Sequence, residues 1–347
     1  MSDYRDIFEE SVEAAKKTEI WNDFFANTGA KAELEKIAKA LSALAGAGNA
    51  VRAIDVFDEW KYKIFPEPQV ILRFLGVMKV REIRVVILGQ DPYPTLGNAT
   101  GLAFQPPAFL PGKKNKPPEA LDWENPKLPA TVRNILRALC VQKPGESESR
   151  KGAWTGADGW KNFLADQGGE TFLGKIPTPH DLFNCWTRQG VLLLNTSLTC
   201  FESMPGSHRY LWKRFTRLLI AHLAQRNDIH WMLWGENALK ALKIHKNEID
   251  LGGNVRLPWS DPPSGNLRCV VSSHPSSRSW LTKLSLKSWE YTEEAACFWE
   301  SRCFCKINKL LPENKRINWL PTINDGRHSD KDSDCRNCLW PGDGTRA

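Results

Sequence analysis

No stretch of the 347-residue chain is apolar enough to cross a bilayer, which takes roughly 20 consecutive apolar residues. The opening segment, MSDYRDIFEESVEAAKK, is a charged helical pattern and lacks the apolar core of a secretory signal. The expectation is a protein that is neither membrane-bound nor secreted, and so cytoplasmic or, in a eukaryote, nuclear. No internal repeat is visible, which argues against solenoids and propellers. Cysteine is present nine times but without a paired framework, and an odd count without a signal points to reduced thiols. Cys335 and Cys338, with Cys303 and Cys305, are spaced too irregularly for a zinc site, so no metal and no other cofactor is expected. An acidic excess is missing too. The 47 Lys and Arg outnumber the 40 Asp and Glu, leaving a net charge of +7. That balance suits a nucleic-acid partner, although many proteins share it and alone it carries little weight.

What is present is one device used four times. Residues 85–94, VVILGQDPYP, are a run of β-branched and leucine residues that breaks off at Gly-Gln-Asp-Pro-Tyr. Proline fixes its own φ and has no N–H, so Asp91-Pro92 turns the chain out of the strand. An ordinary strand-to-turn junction has the same composition. The pattern recurs in GVLLLNTSLT (190–199), ending at Asn195, in IHWMLWGE (229–236), ending at Gly235-Glu236, and in RCVVSSHPS (268–276), ending at His274 before Pro275. Continuous apolar runs suit strands covered on both faces by helices. If those strands are parallel, their carboxyl ends share one edge, where open α/β sheets bind ligands. The fold expected is therefore α/β: a central four-stranded, largely parallel sheet flanked by helices, in a single domain with loop insertions. Trp231 and Trp234, inside one of the runs, are expected in the core.

GQDPY, with GLAF (101–104), RQGVLLLNTSLT (188–199), MLWG (232–235), HPSSRS (274–279) and INWLP (317–321) in this order, resembles the uracil-DNA glycosylases. The likeness spans roughly residues 20–323, with IFPEPQVILRFL (64–75) before the first core strand and Trp21 near its start. It implies an enzyme that flips a base out of DNA, since the glycosidic bond is inaccessible in the stack, and hydrolyses that bond to leave an abasic site. The roles it implies fall on named residues. Asp91 orients water and stabilises the cationic sugar. His274 donates to the base O2. Gln90 and Asn195 read the base edge, Phe104 stacks on the base, and Tyr93 excludes a C5 methyl group. Thr131, Ser276, Ser277, Arg278 and Ser279 are implied as DNA contacts. Local sequence leaves Phe104 open as ordinary core and Asn195 open as a helix N-cap. The cysteines do not match the iron–sulfur pattern of some related glycosylases.

The departures from the family pattern are specific. Pro94 stands where a histidine is usual, and Glu236 stands where a serine is usual. Thr131, in Pro129-Ala130-Thr131, takes a serine position. Arg278 takes the place of the leucine that fills the gap left by a flipped base; its planar guanidinium can stack there or pair with phosphate. Trp280 is an alternative wedge. Insertions are expected at about 105–128 (with Lys113, Lys114 and Lys116), 143–178 (with Trp154 and Trp160) and 252–267. Their aromatic and basic residues suit DNA contacts, or the tryptophans pack on their own loops. Residues 1–50 read as an N-terminal helical extension, with a helix over 32–46 stopped by glycine. Residues 51–323 form the catalytic α/β domain, and 324–347 a polar tail expected to be disordered. The partner expected is DNA, single- or double-stranded, and the protein a monomer. Two other readings stay open: a glycosylase for another modified pyrimidine, for example in anti-phage defence, and a non-catalytic DNA-binding protein on the same fold.

Overall fold

The computed structural model describes residues 4–50, 63–77, 83–112, 117–140, 151–241, 249–250, 254–255, 267–276, 278–285, 294–295 and 297–322. The tail 324–347, Lys113, Lys114 and Lys116, Ser277 and most of 252–267 lie outside the described residues.

Four apolar runs form the central strands: β1 (Val85–Gly89), β2 (Val191–Asn195), β3 (His230–Trp234) and β4 (Leu267–Ser272). Their order is β2-β1-β3-β4 and every pairing is parallel. The register sets Gly89 beside Asn195, Leu88 beside Leu233, and Ser272 beside Trp234. The carboxyl ends of all four strands therefore share one edge. Each residue of β1, β2 and β3 is buried, as the unbroken apolar pattern requires of strands covered on both faces. Two short antiparallel strands, Asn254–Val255 and Ile249–Asp250, extend the sheet beyond β4.

The N-terminal segment folds as α1 (Tyr4–Ala15), α2 (Glu19–Asn27) and α3 (Ala30–Ala50). The expected glycine stop at residue 46 does not occur, and α3 runs on through Gly46 and Gly48. A helical glycine costs only about 0.5–1 kcal/mol relative to alanine, which does not by itself end a helix. Phe8, Trp21, Phe24, Ile37 and Leu41 are buried in the same hydrophobic cluster as the sheet. Trp21 meets Phe74 of α4 (Arg73–Val77) edge-to-face at 6.0 Å.

The remaining layers are α5 (Ala130–Cys140), α6 (Gly159–Gln167), α7 (Pro179–Arg188), α8 (Arg209–Ala224), α9 (Glu236–Ala241) and α10 (Cys303–Leu310). Trp231 and Trp234 are fully buried. Among the described residues no helix is long and apolar enough to cross a membrane, and no cluster of three His, Cys, Asp or Glu side chains is placed to hold a metal.

Candidate active site

The site is assembled from strand ends. β1 and β2 stay tied beyond their last residues: the Thr196 amide donates to the Gly89 carbonyl at 3.1 Å and the Ser197 amide to the Gln90 carbonyl at 2.9 Å. The Thr196 hydroxyl also donates to the Gln90 carbonyl, at 3.2 Å. Gly89 is glycine because a Cβ there would collide with the Asn195 Oδ1. Asn195 is buried as the last residue of β2, with no helix following it directly, so it is not an N-cap. The Gln90 Oε1 accepts from the Asn237 side chain at the start of α9, linking β1 to the turn after β3.

Asp91 is the unusual group. Both its carboxylate oxygens are buried, and among the described residues neither has a hydrogen-bond donor at full bonding distance and angle. The Gly206 amide and the Gln90 and Ser197 side chains nevertheless stand near. Burial raises its pKa above the ordinary carboxylate range. The Gly206 amide, the Gln90 and Ser197 side chains and the Arg209 charge all act in the other direction, but burial outweighs them. A buried acceptor left unpaired costs about 1–3 kcal/mol, and such costs concentrate where a ligand or reacting group will complete the set.

Phe104 and Tyr93 are held in fixed relation. Phe104 adopts a left-handed backbone, φ 65°, which a side-chain-bearing residue takes at a cost of roughly 1–2 kcal/mol. Its carbonyl accepts from the Tyr93 hydroxyl at 3.0 Å, and burial pushes that phenol's pKa up. Beneath this turn, Arg73 donates to the Thr100 carbonyl at 3.0 Å and to Gln105 Oε1 at 2.8 Å. Gln105 in turn donates to Asn184 of α7 at 2.8 Å. The Phe104 ring lies 5.1 Å from Trp234 and 5.8 Å from His274, and it is only half-buried, so it is not plain core.

His274 follows β4. The Ser276 amide donates to its Nδ1 at 3.0 Å, and burial lowers its pKa to about 4. The ring is therefore neutral near pH 7, and the donated bond at Nδ1 puts its proton on Nε2. Gly235, φ 85°, makes room for it: a Cβ at Gly235 would sit 2.9 Å from the His274 Cβ. The Ser276 and Ser279 hydroxyls bond each other at 2.7 Å, and that of Ser279 also donates to the His274 carbonyl at 3.1 Å.

Asp91, Gln90, Tyr93, Phe104, Asn195 and His274 thus share the carboxyl edge. Ser276 and Ser279 brace the turn that carries His274. Thr131 stands half-buried in the first turn of α5. Arg278 is exposed, whereas Trp280 is buried against Trp299 and cannot enter a base stack. Glu236 pairs with Lys240 at 2.7 Å, which offsets its repulsion of a polyanion. The tryptophans of the 143–178 insertion pack inward: Trp154 is buried against Phe163 and Trp299, and Trp160 stacks on Phe163 at 5.1 Å. Sequence reasoning missed Asn237, Asn134 and Arg137. Arg137 had one visible sign, a charged residue among the apolar positions Val132, Ile135, Leu136 and Leu139 of α5. A separate groove of about 450 Å³ between α1 and α3 contains none of the site residues.

The family model of the uracil DNA glycosylase superfamily matches residues 75–297. The uracil-DNA glycosylase of varicella-zoster virus (strain Dumas) is 33% identical over 205 residues, covering 58% of this chain and 52% of the relative. That of Bordetella pertussis is 35% identical over 173 residues, covering 49% of this chain and 50% of the relative. The chain spans about half the length of the curated relatives it matches. A crystal structure of mimivirus uracil-DNA glycosylase superposes with a TM-score of 0.52 at 21% identity, covering 84% of this chain and 81% of that one. That likeness shows a common fold.

Proposed function

The chain belongs to the uracil DNA glycosylase superfamily, and from that membership we propose that it removes uracil from DNA by hydrolysing the N-glycosidic bond of a flipped-out nucleotide. The observation that carries this is the pairing of a buried, unbonded carboxylate after β1 with a neutral, Nε2-protonated histidine after β4. β3 alone separates the two strands, so the two groups leave the sheet roughly 10 Å apart, at about 4.8 Å per strand. The residue that follows β3 between them is Gly235, which adds no side chain there. That separation is on the scale of a pyrimidine with its sugar.

The base enters beside Phe104, where stacking contributes about 1–3 kcal/mol. The Asn195 amide offers a donor and an acceptor to its edge, and the Gln90 backbone N–H meets a base oxygen. As the bond from C1′ to N1 breaks, its electron pair stays with the base, and His274 Nε2–H donates to O2 where that negative charge collects. Asp91 stabilises the cationic sugar and holds the water whose oxygen joins C1′. The water's proton ends on the departing base. DNA is the partner in this reading, with Thr131, Ser276, Ser277, Arg278 and Ser279 as its contacts, and the protein acts as a monomer.

The test is base release from single-uracil oligonucleotides, single- and double-stranded. Uracil release is the expected result. Release confined to a C5-modified pyrimidine would replace uracil as the substrate, and DNA binding without release would leave a binding role. Specificity gives a further check. Tyr93→Ala opens the C5 edge and lowers the uracil-over-thymine ratio by at least about tenfold. Tyr93→Phe keeps the ring and should keep the ratio. An unchanged ratio in the alanine variant would remove Tyr93 from the selection.

A further inference from the structure

Arg137 is buried, yet among the described residues it forms no ion pair with a carboxylate. Burial, with the nearby charge of Arg133, lowers its pKa to about 10. An unpaired buried cation is costly, so what surrounds it is informative. Its Cζ lies 5.1 Å from the centroid of Trp160, on the insertion helix α6, and 5.3 Å from that of Trp280. Its edge donates to Asn134 Oδ1 at 2.7 Å, and the Asn134 Nδ2 donates to the Pro275 carbonyl at 2.9 Å. Pro275 and Trp280 bracket the segment that follows His274. One guanidinium therefore holds both ends of it, the near end through Asn134 and the far end by stacking. Trp160 is fixed in turn, its Nε1–H donating to the Trp123 carbonyl at 2.9 Å. The arrangement requires a flat cation, which can stack on aromatic faces while its edge donates a hydrogen bond; an ammonium cannot do both.

We propose that Arg137 is a positioning residue, clamped between Trp160 and Trp280, that locks the His274–Trp280 segment in its working place and so gives the tryptophan-bearing insertion a role in the reaction. This rests on the glycosylase reading only for its effect on turnover; the clamp itself is testable without any substrate.

Arg278 is exposed in the bracketed segment, so trypsin cleavage of the native protein after Arg278, followed by mass spectrometry, reports how often the segment opens. Arg137→Met and Trp160→Ala are each expected to speed that cleavage by about tenfold. Trp160→Ala also removes the Arg133 guanidinium's contact with that ring, at 5.5 Å. The double variant is therefore expected to exceed neither Trp160→Ala nor the larger single effect, because both variants remove the Arg137 clamp. Arg137→Lys, which keeps the charge and loses the plane, is expected to behave as Arg137→Met. An unchanged rate in either single variant, effects that multiply in the double variant, or full protection by lysine overturns the proposal. If Arg137→Met fails to fold, Trp160→Ala, at a half-buried residue, carries the test alone. In uracil release the same variants should lower kcat and leave KM near the parent value. A parent protein inert toward uracil would refute the activity while the cleavage result still decides the clamp.

Discussion

Under the proposed function, Asp91→Asn is expected to lower uracil release by about 10²- to 10³-fold and to leave the protein at least as stable as the parent at neutral pH. The loss follows from the charge that develops on the sugar, since a fixed group facing developing charge contributes about that much. The stability argument follows from burial. The Asp91 pKa is raised in the folded protein, so the native state disfavours the ionised carboxylate more than the unfolded chain does. A raised carboxyl pKa contributes stability that is fully present below the unfolded value. That stability is lost as pH rises through the folded value. Above it the parent bears the full cost of a buried charge, which an amide of the same shape does not. In the proposed reaction activity moves the opposite way, because that reaction uses the carboxylate. The acid limb of kcat/KM should therefore lie above the ordinary aspartate range. His274, with a pKa lowered to about 4 by burial, is neutral near pH 7. Measured pH profiles and thermal melts at mildly acidic and mildly alkaline pH check both halves. An active Asn variant, or one that is markedly less stable, would show that Asp91 serves the fold and not the chemistry.

Gly235→Ala is the second large effect, and it acts through space and not through charge. The residue sits at φ 85°, and an added Cβ would lie 2.9 Å from the His274 Cβ and 3.5 Å from its backbone nitrogen. Neither neighbour is the free end of a flexible side chain, so the start of the His274 turn must move. Backbone strain of this kind costs about 1–3 kcal/mol. A shift of about 1 Å at a reacting group costs on the order of 10²-fold in rate. The expected result is a folded but less stable protein with kcat reduced about a hundredfold and DNA binding largely kept. Denaturant titration, single-turnover kinetics and a DNA-binding isotherm separate these. A Gly235→Ala protein with parental kcat would mean that His274 is not placed by this contact.

The chain itself determined the sheet and which residues stand at its ends. Continuous Val, Ile and Leu runs are legible because a strand buried on both faces has no polar face to alternate with. The breaks at Asp91-Pro92 and His274-Pro275 are legible because proline's constraint is local. Asp91, Asn195 and His274 could therefore be set at strand ends from residue types alone, and the parallel pairing of the strands put those ends on one edge. Other features waited for the folded chain. The loss of solvent around Asp91 depends on what packs over the turn. The His274 tautomer depends on the direction of one amide. The inward packing of Trp154 and Trp160, and the burial of Trp280, depend on surfaces that meet only after folding. Asn134 and Pro275 are 141 positions apart, and nothing in either local sequence signals the other. Periodicity and turn chemistry are written within a few neighbouring residues. Burial, charge state and the stacking of rings on Arg137 arise from contacts between distant segments, and those the tertiary structure alone decided.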